Sequence, residues 1–186
     1  MKKDDKIEQM INLIEEGDFR TAYKFAIELG SKITLDGITN IVYTKNDNII
    51  WYSFICYLIS KNYNLIACHE ASFFLFDIQQ NYLEGASELS KFHIKELIYL
   101  EPKNIFYKYD FILLHVGADN ITSDDEVFDV ILEMIELFPN YKDSELEISK
   151  NEVLYVLRSI IGSSPDNIMA RDIYNKIKNN EILGSL

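Results

Sequence analysis

The chain reads as all-α, about nine helices folded as stacked antiparallel helical hairpins, an α-α superhelix, and three features of the sequence lead there. Apolar residues recur at helical spacing through most of the 186 positions. Each such stretch is flanked by residues that cap helices or stop them, and the gaps between stretches are short. No stretch alternates apolar and polar residues long enough to make a convincing strand. With 48% hydrophobic residues, the length favours one helical-hairpin domain over residues 1–186.

Asp4 or Asp5 can cap a first helix carrying Ile7, Met10, Ile11 and Ile14, which Gly17 ends. Asp18 opens a second, with Phe19, Ala22, Tyr23, Ala26 and Leu29, closed by Gly30. So short a turn forces the two helices antiparallel. Residues 31–46 are hard to read, because Ile33, Thr34, Ile38, Thr39, Ile41 and Val42 are β-branched and Gly37 interrupts them. A short helix, an irregular connector and a small strand pair all fit. From Asp47 helical spacing returns with Ile50, Phe54, Tyr57 and Leu58, ending near Lys61. Tyr63 to about Tyr82 is apolar on most sides, as suits a central helix.

Ser87 is placed to cap a helix running through Phe92, Leu97 and Leu100 and stopping before Pro102. Another spans Asn104 to Val116, with Gly117 after it. Ser123 and Glu126 form a capping box at the head of a helix that reaches Phe138 and stops at Pro139. Ser149 and Glu152 form a second box ahead of Val153, Leu154, Val156 and Leu157, and Ser164-Pro165 starts the last helix.

The stretch Glu16-Gly17-Asp18-Phe19-Arg20-Thr21-Ala22-Tyr23 resembles the turn of a tetratricopeptide repeat, where a glycine-acid-aromatic corner precedes an alanine packed between two helices. Leu97 to Asn104 and Ile135 to Asn140 resemble the ends of such repeats, and Pro102 and Pro139 lie near that family's period of ~34 residues. Val127 and Met134 stand where the family has small residues. The resemblance implies tetratricopeptide-like stacking over about a third of the chain, not a full array. Short helices with broad apolar faces must in any case stack to bury them.

The formal net charge is −12, which repels nucleic-acid phosphates and anionic lipid headgroups, so neither nucleic acid nor membrane is expected as a direct partner. The longest uncharged apolar run, Ile49 to Ile59, is about half of what crosses a bilayer. The amino-terminal residues show no secretory h-region, so a cytoplasmic location is expected. Cys56 and Cys68 lack any ligand spacing and read as two buried thiols.

Searching for chemistry yields little. His69-Glu70 starts like the zinc motif HExxH, but Phe73 stands where the second histidine belongs. His93 and Glu96 are spaced i, i+3 without a matching pair elsewhere, and read as a surface hydrogen bond; His115 reads as a complement to a helix C-terminus. No glycine-rich phosphate loop or nucleophile elbow is present in the sequence. No catalytic, cofactor-binding or metal-binding residue is therefore expected, and no enzymatic activity.

The charge is uneven. Residues 119–147 carry ten acids against one base, Lys142, and so hold nine of the twelve net negative charges. At about 100° per residue, Glu126, Asp129, Glu133 and Glu136 form a ridge opposite Val127, Val130, Ile131, Met134 and Phe138. No lysine or arginine sits on that ridge, and stacked like charges weaken the helix by a few tenths of a kcal/mol per pair. The expected partner-binding surface is Asp124, Asp125, Glu126, Asp129, Glu133 and Glu136, extended by Asp143, Glu145 and Glu147, and its expected partner a basic protein.

In size, charge and lack of a catalytic motif the chain resembles the helical immunity proteins of bacterial contact-dependent and polymorphic toxin systems. That resemblance implies a non-enzymatic inhibitor that covers the basic cleft of a nuclease-type toxin domain. A scaffold or peptide-binding adaptor, anchored by Trp51, Tyr52, Tyr107 and Tyr109, and an acidic DNA mimic with charge spread over two faces are the alternatives.

Overall fold

The turn after the first helix shows how the sequence directs the chain. Gly17 adopts φ +80°, and the amides of Gly17 and Asp18 reach back to the carbonyls of Ile14 (3.0 Å) and Leu13 (2.9 Å). That is a Schellman closure, which needs a residue without a Cβ penalty in the left-handed region. Asp18 then caps the next helix, its carboxylate accepting from the Thr21 amide at 3.1 Å. Thr21 holds the Asp18 carboxyl below its ordinary range, first through its side-chain hydroxyl and then through that amide.

The computed structural model describes residues 3–42, 49–77, 84–116, 122–137 and 150–179. Among these the protein is all-helical, without a strand. The helices are α1 (Lys3–Glu15), α2 (Phe19–Leu29), α3 (Ser31–Val42), α4 (Ile49–Ser60), α5 (Leu65–Asp77), α6 (Ala86–Leu100), α7 (Ile105–Val116), α8 (Asp124–Leu137), α9 (Lys150–Ser163) and α10 (Ile168–Lys178). They pack as neighbouring pairs, α1 with α2, α4 with α5, α7 with α8 and α9 with α10. No described helix is long and apolar enough to cross a membrane.

Two compact units emerge, residues 1–93 and 94–186. In the first, Met10, Ile14, Ala22, Ala26, Phe54 and Leu58 lose all solvent contact at the meeting of α1, α2 and α4. Ala22 and Ala26 are small, which lets α2 approach its neighbours closely, and the Phe19 and Phe54 rings meet at 5.6 Å beside them. In the second unit, Val127, Ile131 and Met134 of α8 and Leu157 and Ile160 of α9 are fully buried.

The segment left open by the sequence is a helix. Thr34, Leu35 and Ile38 turn into the core, while the hydroxyls of Thr34 and Thr39 donate to the carbonyls of Ala26 and Leu35. Tertiary burial and these back-bonds outweigh the weak helix propensity of β-branched residues. This tenth helix accounts for the difference from about nine.

Two helix starts differ from expectation. Ser87 lies inside the first turn of α6 and is buried, with Gly85 (φ +82°) making the turn ahead of it. The last helix begins at Ile168, not at Ser164-Pro165, because Asn167 caps it by accepting from the Ala170 amide at 2.9 Å. Replacing Asn167 by alanine is expected to lower stability by about 1 kcal/mol, seen as an earlier denaturation midpoint. The second capping box, Ser149 with Glu152, lies outside the described residues, apart from its place at the head of α9.

Candidate protein-binding face

Helix α8 begins as its sequence requires. The Glu126 amide donates to the Ser123 hydroxyl at 3.2 Å, and the Ser123 amide donates to the Glu126 carboxylate at 3.2 Å. Val127, Phe128, Ile131 and Met134 face inward, which leaves Asp125, Asp129, Glu133 and Glu136 exposed.

The ridge is not one uniform row of carboxylates. Lys95 of α6 reaches Glu126 at 3.0 Å, and Lys108 of α7 forms an ion pair with Glu133. No lysine or arginine sits on the ridge itself, but these two come to it from helices distant in sequence. Asp124 is also engaged, accepting from the Ser164 hydroxyl. Asp125, Asp129 and Glu136 form a second row, rotated from Glu126 and Glu133 by about 70° around the helix. These three exposed carboxylates have no ion-pair partner among the described residues. Asp143, Glu145 and Glu147 lie outside the described residues.

The two ion pairs differ in kind. Lys95 and Glu126 are both substantially exposed, so their attraction is screened and contributes at most about 1 kcal/mol. Lys108 is 1% exposed while Glu133 is 60% exposed, so a buried ammonium relies on a surface carboxylate. The sequence carried a signal for this second pair. Lys108 shares its helix face with Ile105, Phe111 and Ile112, all buried, and a cation on such a face must be met from another element.

A second polar group lies in the first unit, far from expectation for a surface. His93 is 1% exposed, and its Nδ1 lies 2.8 Å from His69 Nδ1 while its Nε2 lies 3.0 Å from the Tyr52 hydroxyl. One ring nitrogen of the histidine pair must donate and the other accept, so at least one of the two rings is neutral. Burial, and then the neighbouring His69, pushes His93 down to about 3. The surface hydrogen bond expected for His93 with Glu96 is thus replaced by an internal one. Phe76 stacks along the His93 ring and Phe92 meets it edge-on. The hydroxyls of Ser72 on α5 and Ser90 on α6 are buried without a hydrogen-bond partner among the described residues.

The remaining candidates resolve as packing. Cys68 is fully buried, its thiol pushed up to about 12 by burial and then by Cys56, whereas Cys56 is exposed, which corrects its expected burial. Trp51 and Tyr107 are buried, and Tyr52 is bound to His93, so these three are not free anchors for a peptide. The His115 side chain is outside the described residues. Among the described residues no group of three or more histidine, cysteine or acidic side chains could hold a metal ion. No family model, curated protein or solved structure matches the chain.

Proposed function

We propose that the protein is a non-enzymatic binding module whose α8 face docks a basic protein, and that this partner is a nuclease-type bacterial toxin domain which it neutralises as an immunity protein. The observation that carries this reading is the row of Asp125, Asp129 and Glu136, exposed and without cationic partners among the described residues, beside a row that internal lysines engage. The apolar face of α8 is committed to the core, so the acidic row is presented on a rigid element rather than a loop.

A nuclease gathers positive charge to hold phosphates, and an acidic surface steers such a cleft into contact and excludes its substrate. A DNA mimic would need charge over two faces, whereas the exposed acids of α8, Asp125, Asp129, Glu133 and Glu136, occupy one side. The adaptor reading loses support with the burial of Trp51 and Tyr107.

The test is co-purification with the C-terminal domain of a large secreted protein encoded directly upstream. The complex is expected to form, to suppress nuclease activity of that domain, and to weaken steeply as salt rises. Affinity that holds constant from low to high salt would exclude the electrostatic mechanism.

A further inference from the structure

The second unit carries a feature of the opposite sign. Of the chain's 18 basic residues only three are arginine, and two of these, Arg158 of α9 and Arg171 of α10, line one cavity of about 310 Å³ with Ile161, Tyr174 and Asn175. Arg171, Tyr174 and Asn175 are spaced i, i+3, i+4 on one side of α10, where Arg171 and Asn175 are exposed beside the inward face of Ala170, Ile173 and Ile177, so the cavity opens to solvent.

Every polar group described on this lining can donate. The Arg158 Nε–H donates to the Tyr174 hydroxyl at 2.8 Å, with the guanidinium over the ring at 5.5 Å, which holds Arg158 in place and leaves its terminal nitrogens for other contacts. A tyrosine hydroxyl that accepts this bond still has its own proton to give. Arg171 and Asn175 add a second planar fork and an amide. Lys178 lies 6.0 Å from the Tyr174 ring centre and adds to the positive potential. The acid next to Arg171 in sequence, Asp172, is taken by Lys176 at 2.7 Å. Neither Arg158 nor Arg171 has a carboxylate partner among the described residues, in a chain of 30 acids.

We propose that this cavity between α9 and α10 is a binding site for a phosphate group, held by the paired forks of Arg158 and Arg171. Two guanidinium ions are matched by a dianion, and a tetrahedral phosphate offers oxygens to forks arriving from two helices. A carboxylate carries a single charge and is saturated by one fork. Ile161 supplies an apolar wall beside the donors, suited to the organic part of a phosphate ester. The site is independent of the acidic face on α8.

Calorimetric titration with inorganic phosphate and, separately, with phenyl phosphate, at pH ~8 where both are largely dianionic and at fixed ionic strength, tests the assignment. Both are expected to bind. Tighter binding of the ester points to an organic phosphate as the natural occupant, and tighter binding of the inorganic ion to free phosphate. Arg158→Gln and Arg171→Gln are each expected to weaken binding by about tenfold or more, while Arg20→Gln, an equal change in charge elsewhere, leaves it unchanged. Should either glutamine variant lose its fold by circular dichroism, Arg158→Lys and Arg171→Lys keep the charge but lose the fork and are expected to weaken binding as well. Absence of binding by both probes, equal loss in the Arg20 variant, or acetate competing as strongly as phosphate would overturn the proposal.

Discussion

Reversing Asp125, Asp129 and Glu136 to lysine together is expected to weaken the complex with a basic toxin domain about a hundredfold, while the fold is kept and the melting temperature falls by at most a few degrees, because Asp125 lies in the first turn of α8 where a cation opposes the helix dipole. Each reversal turns an attraction at the rim into a repulsion, at about 1 kcal/mol per site, and three such changes approach two powers of ten. The same change at Glu133 has a different result. Glu133→Lys leaves the Lys108 ammonium, 1% exposed, facing a second cation, and is expected to destabilise the protein by about 2–3 kcal/mol. That figure lies below the range for pairs buried on both sides because Glu133 itself is 60% exposed. Binding titrations and thermal melts on both variants separate the two roles. An unchanged affinity in the triple variant would mean that the outer row is only solvated surface.

Acidification is expected to unfold the protein earlier than its carboxylates alone require. His93 has an ordinary value of 6.5 and is pushed down to about 3 in the folded state. Below pH 6.5 the unfolded chain therefore binds a proton that the folded chain refuses. Stability is complete above that value, is lost as pH falls through the interval, and the loss levels off near pH 3. The slope is about 1.4 kcal/mol per pH unit, so about 2 kcal/mol is lost by pH ~5 and roughly 3–5 kcal/mol over the full interval. The unpartnered hydroxyls of Ser72 and Ser90, one helical turn away on the same helices, offer no compensation. Denaturant midpoints measured between pH ~7 and ~5 should fall in the wild type and stay nearly level in His93→Gln. A wild-type midpoint that does not move in that window would show that burial does not hold His93 neutral.

Local chemistry made much of the fold legible. Gly17-Asp18 marked one helix end and the next helix start, and Ser123-x-x-Glu126 marked the head of α8, because caps act within four residues and leave their pattern in the sequence. Contacts between distant positions left weaker traces. Helix α3 was hidden by its threonines and isoleucines, whose helical state depends on burial against the first unit's core. His93 could not be told from a surface histidine, since its partners Tyr52 and His69 lie 41 and 24 residues away.

Of the candidate face, the sequence was sufficient for the existence of the acidic ridge, because charge and helical spacing are properties of one continuous segment. It could not say which carboxylates the protein itself engages. Lys95 and Lys108 reach α8 only once α6, α7 and α8 have packed, and that packing divides the ridge into a row tied to the protein's own lysines and the row of Asp125, Asp129 and Glu136. The same holds for Arg158 and Arg171, thirteen residues apart in the chain and on separate helices, which share a cavity only because α9 and α10 fold against each other. Periodicity specifies what a helix presents, and tertiary structure alone decides what meets it, since electrostatic and hydrogen-bond partners are selected by distance in space.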